Sequence, residues 1–213
     1  MRTIAELRSA QVPVFAVTTD QEEVGRIQGR QLAALVNEGN VLYVEGPSSS
    51  AAARLRTKGM LSTKPKGIEL MVLKGDWTER SAHQAVKSWL SLSTSRQLHN
   101  RVVMCQNDAM AMGARKAFTD LTEKDREHWL NTPFTGCDGV PKTGQEWVKR
   151  GMLTATVVTP PTSSLALEVL VKALRAHSSP PECTFNDPRS FPKLEELGGK
   201  TGRGTPATTS AHK

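Results

Sequence analysis

The stretch that most constrains this chain is Arg101 to Ala114. Arg101-Val102-Val103-Met104 is a short apolar run that reads as a buried strand, and Met110, Met112, Ala114, Ala117 and Phe118 follow at helix-compatible spacing. Asn107 and Asp108 therefore sit where a strand hands over to a helix, on the edge where open α/β sheets bind ligands. Both residue types are also good N-caps, because a side-chain oxygen accepts from the free N–H groups of a first helical turn. Periodicity alone favours that plainer role. The arrangement recurs at Thr135-Gly136-Cys137-Asp138-Gly139, where an acid again follows a strand-like run. Two polar strand ends facing one crevice tip the reading toward a site.

The same alternation runs along the chain. Helical patterns cover Thr3–Ala10, Glu22–Asn37, Ser48–Lys58, Thr78–Leu92, Arg115–Leu130, Gly144–Arg150 and Ser163–His177. Strand patterns cover Val12–Val17, Val41–Gly46, Gly67–Leu73, Pro133–Cys137 and Leu153–Val158. Strands alternating with helices predict βαβ units in a mostly parallel sheet, a three-layer α/β/α fold. Gly25 and Gly29, four apart, fit either a close helix contact or plain helix surface. Pro180 onward reads as irregular, and Gly198–Lys213, rich in Gly, Thr, Ser and Ala, as a disordered tail.

Every strand-to-helix junction carries a polar or ligand-capable group: Asp20 and Gln21, Ser48 to Ser50, Asp76 and Trp77, Asn107 and Asp108, Asp138, and Thr159. Arg54 and Arg56 are two apart, so at most one aims at the crevice. Arg forks and carboxylates suit vicinal hydroxyls, and a Trp face suits the apolar face of a sugar ring. Trp77 as an ordinary core residue is the alternative. Asp108 and Asp138 are capable of acid–base work, but nothing supplies a nucleophile or a metal. The five histidines lie away from the junctions, and no Gly-rich phosphate loop is present. Binding without catalysis, and without a cofactor, is the better reading.

Composition narrows the partner. The net charge is +7, but the basic residues are scattered and aromatics make up only 5%, so no stacking platform or basic stripe for nucleic acid is visible. Three cysteines, Cys105, Cys137 and Cys183, show no paired spacing, and no zinc site is expected. Cys105 and Cys137 read as small buried residues. Met1–Leu7 lacks the apolar core of a secretory signal.

Gln106 to Ala114, Gly136 to Gly139 and Gly151 to Val157, taken together, resemble the type I periplasmic sugar-binding proteins of the ribose-binding kind. In that family the order is Gln-Asn-Asp-x-Met-Ala-Leu-Gly-Ala, then Gly-Phe-Asp-Gly, then Gly-x-Leu-x-Ala-Thr-Val. Ala51–Gly59 resembles a further family segment, and the resemblance extends from about Val12 to about Ala176. It implies a periplasmic-binding-protein-like type I fold, a small sugar as ligand, and the membrane permease of an ABC importer as partner of the full-length protein. It places Arg56, Trp77, Asn107, Asp138 and Thr159 on the sugar, with Gln21 at the hinge. Thr159 stands where the family usually has Gln, and Cys137 where a Phe normally stacks on the ring.

The resemblance also implies a chain truncated at its N-terminus, with one nearly complete lobe and an incomplete second one. Residues 1–20 would be a fragment of the N-terminal lobe, 21–156 the C-terminal lobe, 157–180 the return segment, 181–197 an irregular hinge segment and 198–213 the tail. The lobe fragments would expose apolar faces, with self-association as a consequence. Location is periplasmic by resemblance, or cytoplasmic if Met1 is the true start. A second class of function is the effector-binding domain of a lac-repressor-type regulator, which shares the fold; a helix-turn-helix ahead of Met1 would decide for it. The Asp138-Gly139 pair and Leu153–Val157 lean toward the transporter kind.

Overall fold

The apolar runs form a parallel sheet because each is flanked by a helix that packs back onto one of its faces. The computed structural model describes residues 3–92 and 100–198. Its elements are α1 (Ile4–Ser9), β1 (Ala16–Thr18), α2 (Gln21–Leu35), β2 (Glu38–Glu45), α3 (Ala51–Thr63), β3 (Gly67–Lys74), α4 (Glu79–Leu90), β4 (Asn100–Cys105), α5 (Asp108–Thr119), α6 (Glu123–Asn131), β5 (Phe134–Asp138), α7 (Gly144–Lys149), β6 (Ala155–Val158), α8 (Thr162–Arg175), β7 (Cys183–Phe185), β8 (Arg189–Phe191) and α9 (Leu194–Gly198). Six strands make one sheet in the order β3-β2-β4-β5-β6-β8, parallel throughout except for β8 against β6. A separate two-stranded parallel sheet joins β1 and β7.

Strand β2 shows why the layers form. Leu42 and Val44 point into a core with Ala82, Val86, Trp89, Met110, Ala114 and Phe118 of α4 and α5. Val41 and Tyr43, on the opposite face, join Leu32, Met60 and Leu197 of α2, α3 and α9. The period-two alternation thus feeds two apolar layers at once, as expected of a parallel sheet covered on both faces. Phe118 stacks on Trp129 at 4.3 Å between ring centroids and meets Phe134 edge-on, which anchors α6 to the same layer. On the other layer the glycines decide the spacing. A Cβ on Gly25 would lie 2.0 Å from the Arg56 carbonyl oxygen, and one on Gly59 1.9 Å from that of Glu22. Helices α2 and α3 therefore touch backbone to backbone, which resolves the Gly25 and Gly29 spacing in favour of a close helix contact.

Three readings are corrected. The strand read over Val12–Val17 starts only at Ala16, because the Val12 N–H turns back to the Leu7 carbonyl to close α1 and Pro13 has no N–H to give. The segment read as irregular from Pro180 contains β7, β8 and α9. These elements are too short for periodicity to reveal: β7 exists through its pairing with β1, and β8 through its pairing with β6. The helical pattern over Arg115–Leu130 is two helices, α5 and α6, separated at Asp120–Thr122. Of the tail read as disordered, Gly198 ends α9 and the remainder lies outside the described residues.

Candidate functional site

The strand order makes β2 and β4 neighbours while the chain between them runs out to β3 and back. That reversal is a topological switch point, where the helices after neighbouring strands leave in opposite directions and open a crevice beyond the carboxyl ends. Arg56 of α3 sits over this crevice. Its side chain is buried, its Nε donates to Gln21 Oε1 at 2.8 Å, and Nη1 donates to the Gln106 carbonyl at 2.5 Å. The guanidinium carbon lies 5.5 Å from the centre of the Trp77 ring, and Nη1 is 4.0 Å from Asp138 Oδ1. Arg54, two residues earlier, is exposed and donates to the Ser48 carbonyl. Only one of the two arginines faces the crevice.

Trp77 adopts a left-handed backbone, φ 60°, and its indole fills space beside Gly46, where a Cβ would come within 2.4 Å of it. It is half-buried and packs on the α4–α5 core, as the core alternative for it expects. Asn107 is the N-cap of α5: Oδ1 accepts from the Met110 N–H at 2.8 Å, while Nδ2 donates to the Trp77 carbonyl at 2.9 Å. The cap and the crevice are one feature, since the capping amide also holds the Trp77 loop. Thr159 reaches the same edge, its N–H and hydroxyl both directed at the Asp138 carbonyl, at 3.1 and 3.3 Å.

Asp138 ends β5 at φ 108°, with its side chain partly exposed. Burial pushes its carboxyl up from the ordinary carboxylate range, and the Arg56 guanidinium pulls it back down. Asp108 is different. It is buried, with Oδ2 accepting from the Gly139 N–H at 2.8 Å and Oδ1 from the Thr156 hydroxyl at 2.7 Å. Burial pushes it up to about 7 against the pull of those two bonds. As a candidate acid–base group it has both oxygens committed within the protein.

Cys137, read as standing where a ring-stacking residue belongs, does not face the crevice. It is fully buried among Val24, Ile27 and Val157, on the α2 side of β5, because side chains alternate along a strand and Asp138 takes the edge position. Among the described residues no cluster of three or more His, Cys, Asp or Glu is arranged to hold a metal ion.

Two contributors escaped sequence reasoning. Gln106 is fully buried; its Oε1 accepts from the Gly46 N–H, and its Nε2 donates to Tyr43 Oη, the Ala53 carbonyl and Thr57 Oγ1. It ties β2, β4 and α3 together beneath Arg56. Asn186 follows β7 and donates to Thr19 Oγ1 and the Pro160 carbonyl, so one amide joins the three passages that link the small sheet to the large one. No local pattern marks Asn186, whose partners lie far away in sequence.

Residues 8–178 match the periplasmic binding protein domain family. The chain is 30% identical over 159 residues to the D-galactose/methyl-galactoside binding periplasmic protein of Haemophilus influenzae, covering 68% of this chain and 45% of that protein. It is 25% identical over 167 residues to the D-allose-binding periplasmic protein of Escherichia coli, covering 74% of this chain and 50% of that one. Among solved structures, an ABC transporter periplasmic solute-binding protein from Actinobacillus succinogenes with bound D-allose superimposes with a TM-score of 0.73 at 22% identity, covering 92% of this chain and 66% of that one. A solute-binding protein from Bacillus halodurans with bound myo-inositol gives 0.70 at 20% identity, covering 93% and 71%. The chain spans about half the length of the curated relatives it matches. The fold is the type I periplasmic-binding-protein-like fold, and the chain belongs to the periplasmic binding protein domain family.

Proposed function

We propose that this chain carries the sugar-facing lobe of a solute-binding protein, and that it binds a small carbohydrate without chemical change. The observation that carries the reading is Arg56, which lies over the Trp77 ring and beside Asp138 at the switch point of the sheet. A planar cation, a carboxylate and an aromatic face offer donors, acceptors and an apolar surface within one crevice, the combination a polyol ring needs. Asn107 and Thr159 complete the rim, and Gln21 holds Arg56 from the hinge side. The names of the relatives point to hexoses, pentitols and related polyols as the ligand class.

The natural setting of such a protein is the periplasm, delivering ligand to the permease of an ABC importer. Held by the wall these residues form alone, a sugar stays half hydrated. Each hydrogen bond then gains only about 0.5–1.5 kcal/mol net, and affinity falls to the order of millimolar once association costs are met. A second copy of the chain is the proposed cover for the groove of about 430 Å³ formed by Val12, Phe15, Leu170, Leu174 and Pro180. Calorimetric titration with D-galactose, D-allose, xylitol and myo-inositol tests the reading. The expected result is weak binding of at least one of them that Asp138→Ala and Trp77→Ala abolish; no binding of any, or binding indifferent to both variants, overturns it.

A further inference from the structure

Asp138 and Gly139 both adopt positive φ, 108° and 58°. For Asp138 this is strained backbone, which costs on the order of 1–3 kcal/mol and persists only where the surroundings over-determine it. Three side chains pin this turn. Gln145 Nε2 donates to the Gly139 carbonyl at 2.7 Å, Thr159 holds the Asp138 carbonyl, and Asp108 accepts the Gly139 N–H at 2.8 Å. Asp108 alone among them brings a charge, and a hydrogen bond to a carboxylate is roughly twice as strong as a neutral one. Its other oxygen takes the Thr156 hydroxyl, so the carboxylate spans the ends of α5, β5 and β6. The fold leaves room for nothing else there: a Cβ on Gly136 or Gly144 would lie 2.2 or 2.0 Å from an Asp108 oxygen.

We propose that Asp108 is the positioning residue for Asp138: by fixing the Gly139 N–H it holds the strained turn that sets the Asp138 carboxylate against Arg56. Its consequence for binding rests on the carbohydrate reading; the positioning itself does not. The charged groups facing Asp108 are Asp138 at the end of β5 and Arg56 of α3, while the buried thiols of Cys105 and Cys137 are pushed up by burial and stay neutral. When Asp108 takes a proton, the Thr156 hydroxyl can reverse and accept it, leaving Oδ2 on Gly139 as a neutral, weaker acceptor. The Gly139 amide therefore reports the charge on Asp108.

The test is amide NMR and hydrogen exchange on the full chain. In the wild-type protein the Gly139 amide proton should move with pH around the Asp108 midpoint, about 7. Asp108→Asn keeps an acceptor on Gly139 and should preserve protection of that amide while abolishing its titration. Asp108→Ala should speed Gly139 exchange by about tenfold or more, as losing a charge-assisted bond implies, with the Ala117 amide inside α5 changed by less than about threefold. The Asn variant decides the matter if the Ala variant does not fold. A Gly139 amide that stays protected in Asp108→Ala, or that loses its protection in Asp108→Asn, overturns the proposal. D-galactose and D-allose titrated into the same samples separate the two readings. Equal sugar affinity in wild type and Asp108→Ala, with Gly139 exchange sped in the variant, removes the consequence for binding and leaves the positioning role, and a wild type that binds neither counts against the carbohydrate reading and likewise leaves the Gly139 result standing.

Discussion

Helices α5 and α8 both carry apolar residues at helical spacing, and the protein treats them in opposite ways. Helix α5 buries Met110, Ala111, Gly113, Ala114, Ala117 and Phe118 between β4, β5, α4 and α6. Helix α8, with Leu165, Leu167, Val169, Leu170 and Leu174, buries only Ala173, and Leu167 and Leu174 are 63% and 65% exposed. The sheets beneath them differ likewise. The central strands β2, β4, β5 and β6 are mostly buried between helices on both faces, whereas β1 and β7 form a two-stranded parallel sheet with Phe185 56% exposed. Parallel strands are normally buried on both faces, so the small sheet is the anomaly. An amphipathic pattern states that a face has to be covered; it does not state by what.

The largest expected effect is in the covered layer. Phe118 is fully buried against Trp129 and Phe134, and Phe118→Ala should cost about 3–5 kcal/mol in denaturant unfolding. A loss under about 1 kcal/mol would mean this layer is no better packed than α8.

Next comes the edge between the layers, read by pH. Asp108 is raised in the folded state to about 7, well above an unfolded aspartate. The folded protein therefore binds this proton more tightly than the unfolded chain. Its contribution favours folding at low pH and is lost as pH rises from about 4 through 7, by an upper bound of roughly 4 kcal/mol. Stability curves of wild type and Asp108→Asn between pH 4.5 and 8, a range set by those pKa values, should diverge in that direction, with the variant flatter. Parallel curves would place Asp108 in water, like the exposed face.

The contact between α2 and α3 follows. Gly59→Ala forces a Cβ to 1.9 Å from the Glu22 carbonyl, a backbone atom that yields only if the helices part. The expected cost is about 1–3 kcal/mol, with a weakened Arg56 bond to Gln21 visible as a shift of the Gln21 side-chain amide. A neutral substitution would show that the two helices already separate easily.

The fold of the covered region was legible in the sequence because strands such as Val41–Gly46 and Arg101–Met104 are continuous apolar runs, and helix after helix returned to cover them. The junction residues were legible for the same reason: a strand end fixes where Asn107 and Asp138 must lie. Side-chain facing was less so. Cys137 and Asp138 are adjacent, and one step along a strand reverses the face: Cys137 is buried as its residue type suggests, while the resemblance to a family with a ring-stacking Phe at that position does not say which way the side chain turns. Asp108 had two readings, and only geometry shows both its oxygens occupied. Strands β7 and β8 were illegible because their pairing partners, β1 and β6, supply what three residues cannot encode locally.

The smallest expected effect tests the uncovered region. Leu174 is 65% exposed on α8, so Leu174→Ser removes little buried area and should change the stability of the isolated chain by less than about 0.5 kcal/mol. The same residue lines the groove with Val12, Phe15 and Leu170. If a second copy covers that groove, Leu174 is buried in the pair, and the substitution gains a second consequence. Sedimentation velocity over a concentration series should then show wild type shifting toward a dimer while Leu167→Ser/Leu174→Ser stays monomeric, and wild-type stability should rise with concentration as mass action requires. A wild type that remains monomeric at every concentration removes the second copy as the cover for α8. A stability loss above about 1 kcal/mol in the dilute monomeric variant would show that this face already packs within one chain, and the contrast between α5 and α8 would disappear.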